Sequence, residues 1–304
     1  MDAPPPPLRL RPAYLRDLGD GPVAEVGDVD ALADAARGGG VVVLSGAGIS
    51  TDSGIPDYRG PNGALRRHTP MTYQEFTAGP AGPRRYWARS FIGWRHVAAA
   101  APNAAHRAVA ALEEGGFVDG VVTQNVDGLH QAAGSRSVVE LHGTLDAVVC
   151  LGCGDRTARR ELDDRLRAEN PAFAELAAAA IAAGEVNPDG DVALPDDAVA
   201  RFRVVGCRAC GGHLKPDVVF FGEGVPRERV RRCEAMVDGA RLLLVAGSSL
   251  TVMSGYRFVL RAAERGIPVA IVNSGPTRGD AHATVRLDRP LGEVLPALAG
   301  RLMT

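Results

Sequence analysis

The chain has 304 residues, of which 46% are hydrophobic and 23% charged, so it can bury a core as one domain or as a large and a small one. Its formal net charge of −2 gives no overall basic field, which argues against nucleic acid or an anionic membrane surface as a partner. The longest run of small apolar residues, 176–184, is far shorter than the roughly 18 to 20 residues that a membrane-spanning helix needs.

The N-terminal residues 1–27 are predicted to form a flexible leader. They carry prolines where a signal peptide needs an apolar segment, and acids where a transit peptide avoids them. We therefore expect a cytoplasmic protein. Nearly all basic residues are arginines, which indicates a GC-rich bacterial genome.

Short apolar runs alternate with helical patterns along most of the chain. This alternation predicts an α/β fold, in which a Rossmann-like parallel sheet has helices on both faces. The predicted strands are Val41 to Leu44, Val121 to Thr123, Val138 to Leu141, Leu242 to Val245, Val269 to Val272 and Thr284 to Leu287. The predicted helices are Ala31 to Arg37, Asn103 to Glu114, Arg227 to Val237, Gly255 to Arg265 and Gly292 to Ala299.

The first predicted strand leads into the glycine-rich stretch SGAGISTDSGIPDYRG, residues 45–60. Backbone N–H groups at such a strand end can approach the pyrophosphate of a dinucleotide. The match to G-x-G-x-x-G is incomplete because Thr51 stands at the third glycine, so a purely structural turn fits the pattern equally well. The acid, aromatic and basic residues that follow are typical of a loop that closes over a ligand, and Arg59 could pair with phosphate.

Later predicted strands also end in small or polar residues. TQNVDGLH, residues 123–130, and ELHGT, residues 140–144, offer amide, carboxylate and imidazole groups, although Asn-x-Asp-Gly is also ordinary turn chemistry. Among the seven histidines, His142 is a candidate base and His130 is its rival. Two later predicted strands end in AGSSL, residues 246–250, and NSGP, residues 273–276, which supply small residues and hydroxyl groups. Together these strand ends predict a dinucleotide site.

Two Cys-x-x-Cys pairs, Cys150 with Cys153 and Cys207 with Cys210, interrupt the α/β pattern. Four thiolates at this spacing predict a structural zinc site with a closed coordination shell. Redox pairs and disulfides are the alternatives, and the latter are unexpected in a chain without a secretion signal. We predict that residues 146–215 form a small zinc-binding module inserted between residues 28–145 and 216–304 of the large domain. Cys233, on a predicted helix, is expected to be a buried hydrophobe.

The motifs GAGIS, SGIPDYRG, TQNVDGLH, ELHGT, the paired cysteines, KPDVVFFGE, GSSL and NSG follow one another in this order. From about residue 30 to 295 this set resembles the sirtuin family of NAD-dependent protein deacylases. PDYRG and RYWARSFIGW are similar to the class II branch, whose members differ in the acyl group that they remove. The resemblance implies that NAD and an acyl-lysine peptide meet in a cleft between the two domains.

The resemblance also implies roles for individual residues. His142 would be the general base, with Asn125 and Asp127 beside it as further catalytic residues. Val218 to Glu223 would offer an extended edge to the substrate backbone, although a plain core strand also explains this segment. NAD would be held by Gly46, Ala47, Gly48, Thr51, Asp57, Tyr58, Arg59, Gln124, Asn125, Asp127, Gly247, Ser248, Ser249, Asn273, Ser274, Gly275 and Leu291.

The implied products are free lysine, nicotinamide and O-acyl-ADP-ribose. Departure of nicotinamide needs no general acid, whereas the later loss of a ribose hydroxyl proton needs a base such as a neutral histidine. One alternative is protein ADP-ribosyl transfer from the same NAD site, and another is a noncatalytic module that binds NAD or zinc. The near-neutral charge and the few aromatic residues between the cysteine pairs argue against a nucleic-acid zinc ribbon. The sequence leaves the oligomeric state open.

Overall fold

The structure of the protein is a computed structural model, which describes residue 18 and residues 23–59, 69–173 and 194–304. Most of the predicted leader, Gly60 and residues 174–193 of the predicted module lie outside the described residues. The strands in these ranges are β1 (Val41–Ser45), β2 (Val118–Thr123), β3 (Val138–Glu140), β4 (Gly143–Cys150), β5 (Arg156–Ala158), β6 (Leu214–Val218), β7 (Leu242–Ala246), β8 (Val269–Val272) and β9 (Val285–Leu287).

The helices flank or connect these strands. They are α1 (Val29–Ala36), α2 (Tyr73–Thr77), α3 (Ala81–Ala99), α4 (Ala104–Glu114), α5 (Leu129–Ala132), α6 (Arg159–Glu169), α7 (Asp196–Arg201), α8 (Arg227–Gly239), α9 (Met253–Glu264) and α10 (Leu291–Leu302). Short 3-10 turns follow β1 at Ala47–Ile49 and Thr51–Ser53. Within the described residues, no helix has both the length and the apolar character that a membrane span requires.

The larger sheet has six strands in the order β3-β2-β1-β7-β8-β9, and its neighbours pair in parallel. Val41 and Val43 of β1 face a core that includes α1, α4 and α10, whereas Val42 and Leu44 face a core with α8 and α9. Because both faces are covered by helices, the central strands β1, β7 and β8 are almost entirely apolar. The predicted parallel α/β sheet is therefore confirmed.

A second, antiparallel sheet has the order β5-β4-β6 and was not predicted. It shares a hydrophobic core with α3, α6 and the segment after α7. The guanidinium of Arg159 lies over both tryptophan rings, 5.1 Å from the centroid of Trp87 and 4.6 Å from that of Trp94. These contacts attach α6, which directly follows β5 of the second sheet, to helix α3.

The carboxyl end of β1 lies where the strand order reverses, because the chain continues to β2 on one side while β7 lies on the other. Open α/β sheets bind ligands at this position. Ser45 pairs in register with Thr123 of β2 and with Ala246 of β7, so the three following loops meet there. His142 directly precedes β4, which places it between the two sheets.

Candidate active site between the two sheets

The glycine-rich turn after β1 packs directly against the loop after β7. Gly48 N–H donates to the carbonyl of Gly247 over 2.9 Å. A Cβ atom on Gly46 would lie 2.7 Å from Cβ of Ser248, and one on Gly48 would lie 2.9 Å from the Gly247 oxygen. Glycine is therefore required at both positions by close packing, whatever ligand the turn holds.

Asn125 and Asp127, which follow β2, are connected through Ser50 of the glycine-rich turn. The amide of Asn125 donates to Ser50 Oγ at 3.0 Å and to the Gly46 carbonyl at 3.1 Å. Ser50 Oγ donates in turn to Asp127 Oδ2 at 2.7 Å. The loops after β1 and β2 thus present their polar groups as one network. The sequence prediction did not include Ser50, although it lies inside the quoted motif.

Gln124 connects the loop after β2 to the loop after β7. Its side-chain amide donates to Ser45 carbonyl at 3.2 Å and to Ser248 Oγ at 2.8 Å. Leu250, two residues further on, has a φ of 56°, which is unusual for a residue other than glycine. The structure therefore brings Gln124, Ser248 and the glycine-rich turn together, as the sequence predicted for a dinucleotide site.

His142 lies at the start of β4 with a hydrogen bond at each ring nitrogen. Nδ1 is 2.9 Å from the carbonyl oxygen of Gln124, and Nε2 is 2.8 Å from Ser254 Oγ of helix α9. Burial lowers the pKa of His142 to about 4, nearby Arg229 lowers it further, and the Gln124 carbonyl opposes the shift. The imidazole is therefore neutral near pH 7.

The rival histidine, His130, lies deeper in the fold. It is only 1% exposed, and its Nε2 is 2.9 Å from Ser45 Oγ. Burial and the neighbouring His106 lower its pKa to about 3. His130 thus contacts the buried end of β1 through Ser45. The half-buried His142 is the better candidate for contact with a ligand.

The loop after β8, the strand next to β7, is held by buried Arg286. The side-chain amide of Asn273 donates to the carbonyls of Ser274 and Gly275. Arg286 donates to the carbonyls of Asn273 and Gly275 and forms an ion pair with Asp280.

The remaining predicted NAD residues border these loops. Leu291 begins α10 beside Gly247, where its Cδ1 would lie 2.6 Å from an added Cβ. Ser249 Oγ bonds to Thr251 Oγ1 at 3.1 Å. Exposed Thr51 donates its hydroxyl to the Gly48 carbonyl.

The predicted closing loop and the predicted substrate edge contact each other. Tyr58 packs edge-on against Phe221, with 6.2 Å between the ring centroids. Asp57 and Arg59 lie half-buried on either side of Tyr58. The prediction that an extended edge runs from Val218 to Glu223 is only partly correct. Strand β6 ends at Val218, and beyond it a single bridge joins Phe221 to Thr72.

The cysteine pairs come together at the far end of the second sheet. Their four Sγ atoms lie within 4.8 Å of one another, with 3.5 Å between Cys150 and Cys210 and 3.7 Å between Cys153 and Cys207. A tetrahedral zinc site with Zn–S bonds of about 2.3 Å places sulfurs about 3.8 Å apart, so the cluster fits this ion. Backbone N–H groups, including that of Gly152, donate to the sulfurs, as they do to thiolate ligands.

The Cys233 prediction is confirmed. This cysteine is fully buried on α8, apart from the other four, and burial raises its thiol pKa to about 12.

Comparison with known proteins places the chain in a family. The model of the Sir2 family matches residues 46–254. NAD-dependent protein deacetylase 1 of Streptomyces coelicolor is 59% identical over 97% of both chains. The protein of that name from Mycobacterium avium is 55% identical, over 86% of this chain and 91% of the relative.

Solved structures give the same result. A complex described as "Sir2-p53 peptide-NAD+" superposes with a TM-score of 0.69 at 30% identity, covering 91% of this chain and 98% of the other. A further structure from work on the mechanism and regulation of Sir2 enzymes has a TM-score of 0.69 at 31% identity, over 90% and 97% of the two chains. The chain therefore belongs to the Sir2 family, the sirtuins.

Proposed function

We propose that the protein removes acyl groups from lysine side chains of proteins and consumes NAD in doing so. Its products are nicotinamide, O-acyl-ADP-ribose and free lysine. The observation that carries the proposal is the imidazole of His142, held by two hydrogen bonds between the loop after β2 and the first turn of helix α9. Relatives of 50–59% identity carry the name NAD-dependent protein deacetylase.

NAD, as a substrate, supplies an activated ribose carbon that the acyl oxygen attacks as nicotinamide leaves. The residues of the chain bind, orient and shield it. Backbone N–H groups of Gly46 to Gly48 and the loop after β7 are suited to the phosphates, and the loop after β8 to the adenosine. Asn125 and Asp127, joined through Ser50, supply amide and carboxylate groups for the nicotinamide and its ribose.

His142 is the proposed base for the ribose hydroxyl proton. A pKa of about 4 keeps its lone pair available throughout the physiological range. The same shift makes it a weaker base than a histidine with the ordinary pKa of about 6.5 that the sequence led us to expect. Proton transfer therefore depends on how the surrounding groups hold the imidazole and stabilise its protonated form.

The first test is turnover of an acetyl-lysine peptide with NAD, followed by mass spectrometry of nicotinamide and O-acetyl-ADP-ribose. His142→Ala should reduce the rate by about 100-fold or more, since general bases contribute roughly 10²–10⁴-fold. His282→Ala is the matched control, because its ring bonds to Tyr256 outside the proposed site. An inactive parent with every acyl-lysine peptide offered would refute the proposal.

Three finer predictions belong to the same proposal. We assign the protein to the class II branch on PDYRG and RYWARSFIGW, which leaves the acyl group to be found by varying it on one peptide. Transfer of ADP-ribose to protein is the alternative activity, and label from NAD that stays on protein would reveal it. The bacterial sources of the relatives support the prediction of a bacterial protein, for which we propose a cytoplasmic location.

A further inference from the structure

The hydrogen bonds of His142 determine which ring nitrogen carries the proton. The Gln124 carbonyl can only accept, so Nδ1, 2.9 Å away, must be the protonated nitrogen of the neutral ring. The lone pair then lies on Nε2, and the hydroxyl of Ser254 at 2.8 Å must be the donor to it. The atom proposed to receive the ribose proton is thus already bonded to a serine hydroxyl.

The fold holds Ser254 in this position through the first turn of helix α9. The turn packs against Gln124, where a Cβ atom on Gly255 would lie only 2.4 Å from Gln124 Oε1. Gln124 in turn supplies the carbonyl that binds Nδ1 of His142. One residue therefore fixes both the helix that carries Ser254 and the opposite side of the imidazole. Ser254 is half-buried, so a ligand in the site can reach its hydroxyl.

We propose that Ser254 is a catalytic residue that relays the ribose proton to His142. The proposal rests on the proposed function. In the relay, the ribose O–H bond breaks as a new bond forms between that proton and Ser254 Oγ. The original Ser254 proton moves at the same time to Nε2, leaving a neutral serine, an imidazolium and a ribose alkoxide. No oxidant, reductant or additional acid is needed.

The relay explains why the lone pair of Nε2 faces a hydroxyl rather than open space. A ribose hydroxyl that approached Nε2 directly would have to displace Ser254, whereas one that donates to Oγ extends the existing hydrogen-bond chain. The hydrogen bonds within such a chain polarise one another, which strengthens each of them. Ser254 should therefore matter only after nicotinamide has left, since that departure needs no base.

The decisive variants are Ser254→Ala and Ser254→Thr, with Met253→Ala as the matched control. Met253 lies in the same helical turn and is 46% exposed. We expect Ser254→Ala to slow O-acetyl-ADP-ribose formation at least about tenfold, within the range for proton transfer by positioned groups. Exchange of labelled nicotinamide into NAD, in the presence of acetyl-lysine peptide, should stay within about twofold of the parent. Ser254→Thr keeps the hydroxyl and should recover most of the rate.

Two results would overturn the relay. One is an unchanged rate of product formation in Ser254→Ala, and the other is an equal loss of exchange and product formation, which would indicate a structural role. Single-turnover rates in mixtures of H₂O and D₂O show how many protons move in the rate-limiting step. The rate of the parent should fall along a curve that lies below a straight line as the deuterium fraction rises, because two protons move in the relay. The rate of Ser254→Ala should fall linearly. A linear dependence in the parent would contradict the relay. An inactive parent would instead refute the proposed function.

Discussion

Neutral, buried histidines are a recurrent feature of this site at the level of single residues. Burial is the largest cause that lowers the pKa of His106 to about 4, of His130 to about 3 and of His142 to about 4. The rings of His106 and His130 pack against each other with centroids 5.0 Å apart. A proton on either ring would be poorly solvated and would repel one on its neighbour.

These shifts predict that the protein loses stability in mild acid. The folded pKa values lie below the ordinary value of about 6.5, so below pH 6.5 the unfolded chain binds more protons than the folded one. Each histidine therefore contributes stability that is present above pH 6.5 and is lost as the pH falls towards 4. Between pH 7 and 5.5 the loss is on the order of 1 kcal/mol for each group.

His130→Gln tests this linkage by urea unfolding at pH 7 and pH 5.5. The variant should lose on the order of 1 kcal/mol less than the parent over this interval, because one of the groups no longer titrates. His213→Gln, at an exposed position, serves as the control and should follow the parent. Equal losses in the parent and in His130→Gln would show that His130 is not held neutral by the fold.

Sequence patterns located some site residues and missed others for a physical reason. Gln124, Asn125 and His142 were found because they follow apolar runs, and the ends of parallel strands meet at one edge of the sheet. Ser254 follows no strand. It reaches His142, 112 positions away, only because helix α9 begins beside Gln124, and no local pattern in the sequence records that contact.

At the level of elements, a single lysine holds the proposed substrate edge after β6. Lys215 is the only lysine in the chain, and it is 4% exposed. Its Nζ donates to the Val218 carbonyl at 2.5 Å and pairs with Glu223 Oε2 at 3.0 Å. Glu223 also accepts the backbone N–H of Phe220 at 2.9 Å. The loop between Val218 and Glu223 is thus fixed from within by an ion pair between buried Lys215 and partly exposed Glu223.

Lys215→Met should loosen this loop and weaken peptide binding. Glu223 would lose its cation and the Val218 carbonyl its donor, so we expect the loop to loosen and KM for an acetyl-lysine peptide to rise about tenfold. KM for NAD should change by less than about twofold. Lys215→Arg retains the charge and is the matched control. Unchanged peptide KM in a folded Lys215→Met variant would contradict the proposed role of Lys215 in holding this loop.

The two sheets differ in how well their elements can be recognised from sequence. Strands of the parallel sheet were predictable because both faces are buried and most of their residues are apolar. Strand β4 pairs with a neighbour on each edge, but its register with β6 is irregular between Gly143 and Val148. Strand β6 contains Pro216, and a proline within a short run argues against a central strand. Their antiparallel pairing joins segments that are far apart in the sequence, so no local pattern predicts it.

At the scale of the whole molecule, the cysteine cluster is connected to the candidate active site through β4 and β6. At one end of this strand pair, Cys150 of β4 pairs with Leu214 of β6. At the other end Gly143, next to His142, pairs with Val218, where the proposed substrate edge begins. We expect a metal that holds the cysteine end to help position the end beside His142 through β4 and β6, although their register is irregular between Gly143 and Val148. The second sheet also meets α3, where Trp87 Nε1 donates to the Leu214 carbonyl at 2.9 Å.

Removal of the metal should therefore affect both structure and catalysis, although a four-cysteine site leaves no position for substrate. Chelation should release one zinc ion per chain and lower the melting temperature. It should also alter the emission of Trp87 and Trp94, the only tryptophans, since both contact Arg159, which begins α6 directly after β5 of the second sheet. Acyl-lysine turnover should fall with the emission change and return with added Zn²⁺.

Cys150→Ser and Cys233→Ser distinguish a structural metal from a general effect of losing a thiol. Cys150 is a proposed ligand, so its variant should lose zinc and the native tryptophan emission, because structural zinc supplies folding free energy. Cys233 lies on α8, outside the cluster, so its variant should retain zinc even if core packing weakens. A zinc-free chain with native emission and full activity would contradict this role of the metal. It would show that packing alone sets the register of β4 and β6.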